Sequence, residues 1–237
     1  MNARPLLSII IPAFNEHDRL GKTLQSVTSY LNGQTFSWEV IVVDDGSSDD
    51  TAEIARAFSS SHSVHLIRYE ENKGKGYALR EGVKKATGEY VLTYDADSAV
   101  PITELPPLLE AVRDEGADLA IGSRLHHPEA SAVEMSLLRR ITGRLYFSLS
   151  SGLVPGIRDC SCGFKLFRHD AASVLFSEMK IDGFAHDVEI LHLAILRKYR
   201  IREIPVRWTE MLGSKVRLFK HGWQMLRETM GIYRRKM

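Results

Sequence analysis

The sequence is poor in several features that would narrow its class at once, and each shortage excludes something. Among 237 residues there are two cysteines, Cys160 and Cys162. Standing one residue apart, they cannot staple separate parts of a fold, and they lack the companion pair a structural zinc site needs. The expectation is two small buried thiols in a reduced, cytoplasmic protein. No uncharged stretch approaches the roughly 18 residues of a membrane-spanning helix, and Met1-Asn2-Ala3-Arg4-Pro5 leads into an apolar run without a signal-peptide pattern. That first apolar run is followed by Pro-Ala-Phe-Asn-Glu and not by the glycine-rich turn of a dinucleotide site, which disfavours nicotinamide and flavin chemistry. There is no internal repeat, no low-complexity tract, and no concentrated basic, aromatic face of the kind that binds nucleic acid.

What is present is an ordinary globular composition, 44% hydrophobic and 26% charged, long enough for one large α/β domain. The net charge of +1 hides an imbalance. Residues 1–129 carry 12 Lys and Arg against 20 Asp and Glu, and residues 130–237 carry 19 against 10. An acidic half able to hold a cation, joined to a basic half, suits a phosphate-rich ligand and an anionic partner or membrane surface; scattered solvated charge would give the same count.

Apolar β-rich runs at Leu6–Ile11, Glu39–Val43, Val64–Tyr69, Tyr90–Tyr94 and Asp118–Gly122 alternate with helical periodicity at Arg19–Leu31, Thr51–Phe58, Gly76–Ala86 and Leu105–Glu115. This alternation predicts a mostly parallel, Rossmann-like sheet flanked by helices. Asp50 followed by Glu53 predicts a capping box at the second helix. Beyond His126 the spacing predicts one or two amphipathic helices over 132–155, then a strand Phe164–Phe167, a helix Val188–Lys198, a strand Ile201–Trp208 and a basic helix over 216–237.

The most informative stretch is Tyr90 to Ser98, Tyr-Val-Leu-Thr-Tyr-Asp-Ala-Asp-Ser, where an apolar run ends in two carboxylates one residue apart. The end of a parallel strand is where an open α/β sheet binds ligands, and paired carboxylates suit a hard divalent cation whose shell is completed by phosphate. Pro12–Glu16 and Asp44–Asp49 follow earlier strands, so all three loops are expected to face one crevice. Each alone also fits an ordinary strand-to-helix turn.

Order and spacing add a resemblance. Ile-Pro-Ala-Phe-Asn-Glu at 11–16, Val-Val-Asp-Asp-Gly-Ser at 42–47, Asn-Lys-Gly-Lys-Gly at 72–76, Asp-Ala-Asp at 95–97 and Gly-Ser-Arg at 122–124 resemble the family 2 glycosyltransferases with the GT-A fold. It continues through Asp159–Phe167, His186-Asp187-Val188-Glu189 and Gly213-Ser214-Lys215, where the likeness is to enzymes that glycosylate polyprenyl phosphates. The resemblance implies a single domain whose residues 1–125 bind the nucleotide sugar and whose residues 126–237 bind the acceptor. Pro12, Ala13, Asn15, Glu16, Asp45, Lys73, Asp95, Ala96 and Asp97 are then expected in the nucleotide-sugar pocket, with Asp45 on the base and Lys73 on base or diphosphate. Asp95 and Asp97 would hold Mg²⁺ or Mn²⁺. Some relatives carry a Gln two positions after the second Asp; here that position is Ala99.

The same resemblance implies hexose transfer with inversion, from UDP-glucose or, next, GDP-mannose, to a polyprenyl (dolichyl-type) phosphate at the cytoplasmic face of a membrane. Arg124, Arg139, Arg140 and Lys215 would hold the acceptor phosphate. A hydroxyl acceptor would instead need a base, and Asp187 is the matching position. A third reading is a nucleotide-sugar-binding protein without turnover. The apolar side of 132–155 fits core and interfacial helix equally, and Trp223, Phe219 and Arg234-Arg235-Lys236 either anchor to anionic lipid or pack as a last helix. His186 and His192 are expected to be structural or surface residues.

Overall fold

The computed structural model describes residues 4–59, 63–124, 150–209 and 218–236. In chain order its elements are β1 Leu7–Ala13, α1 Leu20–Asn32, β2 Trp38–Asp45, α2 Thr51–Ser59, β3 Val64–Tyr69, α3 Lys75–Lys85, β4 Tyr90–Thr93, a single 3₁₀ turn Ile102–Glu104, and α4 Leu105–Arg113. There follow β5 Leu119–Ser123, β6 Lys165–Arg168, α5 His169–Glu178, α6 His186–Leu196, β7 Ile201–Pro205 and α7 Leu218–Lys236.

The strands form one seven-stranded sheet in the order β3-β2-β1-β4-β6-β5-β7. β6 runs antiparallel to both its neighbours and the other pairings are parallel. Central strands buried on both faces read as continuous apolar runs, and here alternate residues serve opposite layers. Ile9, Ile11, Val40, Val42 and Leu92 pack with α1 and α4 through Leu20, Leu24, Val27, Leu105 and Leu108. Ile10, Ile41, Val43, Val91 and Phe167 pack with α3, α5 and α6 through Leu79, Val83, Leu175, Phe176 and Leu191. The result is the expected α/β architecture, a mostly parallel sheet between two helical layers.

Topology places the site. From β1 the chain steps outward to β2 and β3, then crosses back to β4 on the other side of β1. The strand order therefore reverses between β1 and β4, and the loops leaving these two strands part to open a crevice. Ala13 pairs with Asp44, and Ile10 with Thr93, so the ends of β1, β2 and β4 lie along one edge. Because β6 is antiparallel, its first residue, Lys165, sits opposite Thr93 at that same edge, as does the end of β5 before Arg124.

Several sequence expectations shift. α5 was not anticipated, since it starts directly at the end of β6 with no turn residue between. α6 begins at His186, two residues earlier than expected, which puts His186 and Asp187 in its first turn. β7 stops at Pro205, although the Val206 N–H still donates to the Ser123 carbonyl at 3.0 Å. The carboxylate that caps α2 is Asp49, accepting the Thr51 N–H at 3.0 Å, and not Asp50. Residues 132–149 of the expected amphipathic helices lie outside the described residues.

Candidate active site at the carboxyl edge of the sheet

Three loops are bolted together before any ligand arrives. Asn15 has φ +54°, in the left-handed region that Asn tolerates better than most side chains. Its N–H donates to Ser47 Oγ at 2.9 Å and its Oδ1 accepts the Ser48 N–H at 2.9 Å. The Glu16 N–H donates to Thr51 Oγ1, and the Glu16 carboxylate is gripped by both arms of Arg19 at 2.6 Å. The polar atoms of Asn15 and Glu16 thus fix the shape of the crevice wall, while Pro12 and the buried Ala13 close the end of β1.

Asp45 closes β2 almost fully buried. Its Oδ1 accepts the Lys73 N–H at 2.8 Å, and its Oδ2 accepts the Gly74 N–H at 2.8 Å and the Asn72 side-chain amide at 2.9 Å. Three N–H donors hold the carboxylate, and the Tyr69 hydroxyl lies beside it. Burial outweighs these bonds and pushes its carboxyl above the usual range.

In the 72–76 loop the two lysines diverge. Lys73 turns its ammonium over the rings of Tyr77 and Tyr69, 4.8 and 5.6 Å from their centroids. Lys75 is the lysine that enters the crevice, its Nζ 2.6 Å from Asp95. Gly74 and Gly76 make room for the chain itself. Gly74 has φ +106°, a Cβ on it would overlap the Asp182 carbonyl, and one on Gly76 would overlap that of Ile181. The Asp182 carbonyl then accepts the N–H groups of Gly76 at 2.8 Å and Tyr77 at 3.3 Å, so these α3 donors are already satisfied.

Asp95 and Asp97 stand on the turn after β4. The Ala96 carbonyl accepts from Thr23 Oγ1 at 2.7 Å, Ser98 Oγ donates to the same hydroxyl, and the Tyr94 hydroxyl donates to the Val100 carbonyl. These bonds hold the turn while leaving Asp97 with one backbone donor, the Ala99 N–H at 3.0 Å, and Arg19 4.0 Å away. Its side chain is 30% exposed. For Asp95 burial works against ionisation, but the Lys75 charge wins and the carboxyl lies below its ordinary value. Gly163 faces Asp95 so closely that a Cβ there would overlap the carboxylate. Among the described residues no cluster of three or more His, Cys, Asp or Glu side chains converges. One or two partly exposed carboxylates are the protein share expected for Mg²⁺ or Mn²⁺ that takes its remaining oxygens from phosphate and water, so the donor set fits.

Deeper in the same edge lies a buried ionic group. Lys165, 2% exposed, donates from Nζ to Asp187 Oδ1 and to the Cys162 carbonyl. Burial alone would raise the Asp187 carboxyl; His186, Lys165 and Lys75 overcome it and hold the group well below the usual range. His186 is itself pushed down by burial, so at neutral pH the two lysines carry that stabilisation. Its Nδ1 is 2.8 Å from the Gly183 carbonyl, which assigns the proton to Nδ1 and leaves Nε2 as a buried acceptor 3.5 Å from Asp187. Arg124 is likewise engaged, forking onto Asp159 with both contacts at 2.7 Å and lying 5.8 Å from the Trp208 ring. Glu189 receives the N–H groups of Lys180 and Ile181 and pairs with Arg235. His192 is structural, its Nδ1 2.9 Å from the Leu153 carbonyl. Both cysteines are free and buried, and burial pushes the Cys162 thiol up to about 11. Arg139, Arg140 and Lys215 lie outside the described residues.

The profile of glycosyl transferase family 2 matches residues 8–176. The chain belongs to that family. It is 37% identical to human dolichyl-phosphate beta-glucosyltransferase, the match covering 95% of this chain and 74% of that protein. The Drosophila melanogaster protein of the same name is 38% identical over 96% of this chain and 74% of its own length. That of Saccharomyces cerevisiae is 33% identical over 96% and 76%. Among solved structures, glucosyl-3-phosphoglycerate synthase of Mycobacterium tuberculosis in complex with Mn²⁺, UDP-glucose and phosphoglyceric acid superposes with TM-score 0.71 at 18% identity, covering 97% of this chain and 79% of that one. Mannosyl-3-phosphoglycerate synthase of Rubrobacter xylanophilus gives 0.73 at 20% identity, covering 98% and 75%. These likenesses establish the GT-A fold, and membership makes this family 2 glycosyltransferase a hexosyltransferase.

Two of its lysines escaped the sequence reading. Lys75 stood inside a quoted motif, but only the phase of α3 distinguishes it from Lys73. Lys165 offered a stronger signal: a lysine inside the apolar run Phe164-Lys165-Leu166-Phe167 demands a buried counter-ion.

Proposed function

We propose that this family 2 glycosyltransferase transfers glucose from UDP-glucose to a dolichyl-type polyprenyl phosphate at a membrane surface, inverting the sugar linkage. The relatives' names support donor sugar and acceptor. The observation that carries the choice of acceptor is the state of Asp187. A general base must be able to take a proton near neutral pH, and a carboxylate paired with buried Lys165 and held far below its usual pKa is a poor one. A phosphate acceptor arrives already ionised and needs positioning, not deprotonation. Its oxygen forms the new bond to the sugar carbon as the bond to UDP breaks, and the electron pair leaves with UDP. No proton moves in that step, and a single displacement turns an α-linked donor into a β-linked product.

Asp97, with Asp95, would hold the divalent cation, which when bound supplies positive charge to the departing diphosphate. Lys75 presents a further ammonium beside Asp95, and Asp45 is the acceptor for the uracil N–H. Asn15, Glu16 and Arg19 keep the wall of the pocket in shape. Arg124 orients Asp159 and retains N–H groups beyond those on Asp159 for the acceptor phosphate, with Arg139, Arg140 and Lys215 as its partners there. In this reading residues 1–125 serve the donor and 126–237 the acceptor.

A radiolabelled transfer assay decides the matter. UDP-glucose with polyprenyl phosphate and Mn²⁺ should give a chelator-sensitive glycolipid, with little product from GDP-mannose or from the corresponding polyprenol. Efficient transfer to the polyprenol would restore Asp187 as base, and no consumption of either donor would leave a binding protein.

A further inference from the structure

The outward face of α7 carries a pattern that the chemistry at the sheet edge does not use. Trp223, Arg227, Met230 and Arg234 follow at i, i+4, i+7 and i+11, which aligns them in one stripe about 16 Å long. All four are exposed, Trp223 by 74% and Met230 by 44%. Among the described residues neither arginine of the stripe has an ion-pair partner. The opposite face is spent on packing. Thr229 and Ile232 are buried, Glu228 accepts the Ala185 N–H at 3.2 Å, and a Cβ on Gly183 would overlap the Glu228 carboxylate. On the flank, Arg235 pairs with Glu189 at 2.8 Å. The helix therefore has a fixed orientation, and its stripe points to solvent.

An indole and a thioether left in water, alternating with two guanidinium groups that have no ion-pair partner among the described residues, make a poor solvated face. They make a good bilayer contact: the indole sits among headgroups, the methionine reaches the acyl boundary, and each arginine lays its stem on apolar surface while its head meets lipid phosphate. We propose that this stripe docks the enzyme on an anionic lipid bilayer. The inference rests on the lipid-phosphate reading above and adds the docking face to it. A helix is about 10 Å across, so docking sets the Gly183–Ala185 loop, which leads into His186 and Asp187, roughly one helix diameter from the headgroups. That is where an acceptor phosphate on a membrane-held chain would stand.

Co-sedimentation of the full chain with phosphatidylcholine vesicles, with and without phosphatidylserine, tests this. The wild type should bind the anionic vesicles and be released by salt. Arg227→Gln with Arg234→Gln should weaken binding about 30-fold, since each basic residue near such a surface contributes about 1 kcal/mol. The tryptophan emission of the wild type should shift to the blue on binding, and Trp223→Phe should lose the shift although Trp38 and Trp208 remain. The double variant should keep the wild-type rate on a short, water-soluble prenyl phosphate, a control that reports on the transfer reaction alone. Equal binding by wild type and double variant, equal binding to neutral vesicles, or a dimer formed through α7 in sedimentation would overturn the docking face. Loss of transfer to the soluble acceptor by the wild type would instead sink the lipid-phosphate reading.

Discussion

Asp97 and Asp187 stand at the same edge of the same sheet and are used in opposite ways. Asp97 is held by a single backbone N–H, faces solvent, and keeps its remaining oxygen positions open. Asp187, with 12% of its side chain exposed, spends its charge on Lys165 beneath His186 and beside Lys75. The same side chain is thus an available ligand in one setting and a structural counter-ion in the other. Burial decides which, because a desolvated carboxylate persists only when its charge is matched.

The sharpest way to break this contrast is to remove the charge from each. Asp97→Asn should lower kcat/KM for UDP-glucose on the order of 1000-fold, about 4 kcal/mol, with an unchanged melting temperature. Lys165→Met should act mainly on stability, costing about 3 kcal/mol by leaving a buried carboxylate unpaired, read as a lower urea midpoint. Comparable stability loss in the two variants would erase the distinction. Next, Lys75→Ala should reduce kcat/KM about 30-fold, whereas Lys73→Ala, which loses only its contact with the aromatic rings, should change stability by about 0.5–1 kcal/mol and leave turnover nearly intact.

The smallest effect concerns pH. His186 has a folded pKa below its ordinary 6.5, so its contribution to stability is complete above that value and is lost as pH falls through the folded pKa. Asp187 is also depressed, and its contribution is complete above 3.8 and lost only in stronger acid. Between these two thresholds the loss attributable to this pair comes from the histidine. His186→Gln should flatten the stability profile between these thresholds, measured by urea titration across pH.

The fold was legible because the chain writes it plainly. Runs such as Leu-Ser-Ile-Ile-Ile and Val-Ile-Val-Val are buried on both faces, and no helix of that length would be apolar all round beside such short punctuation. α5 was missed because His169 follows Arg168 without a breaker. The carboxylates of the site were legible as strand-end residues, since topology alone brings such ends together. The close approach of the 181–183 loop to Gly74 and Gly76 was not, because that backbone is distant in sequence and nothing local names it. Lys165 and Lys75 were hidden for a related reason, as a buried charge is recognised by its partner, and the partners lie 22 and 20 residues away.

The central claim is that the Asp95–Asp97 turn binds the nucleotide diphosphate through a divalent cation. Isothermal titration of UDP-glucose into wild type and Asp97→Asn, each with Mn²⁺ and with chelator, tests it most directly. The account predicts binding by the wild type that requires Mn²⁺ and is lost in Asp97→Asn. Binding of equal strength in the chelated wild type, or in Asp97→Asn with Mn²⁺, would contradict it.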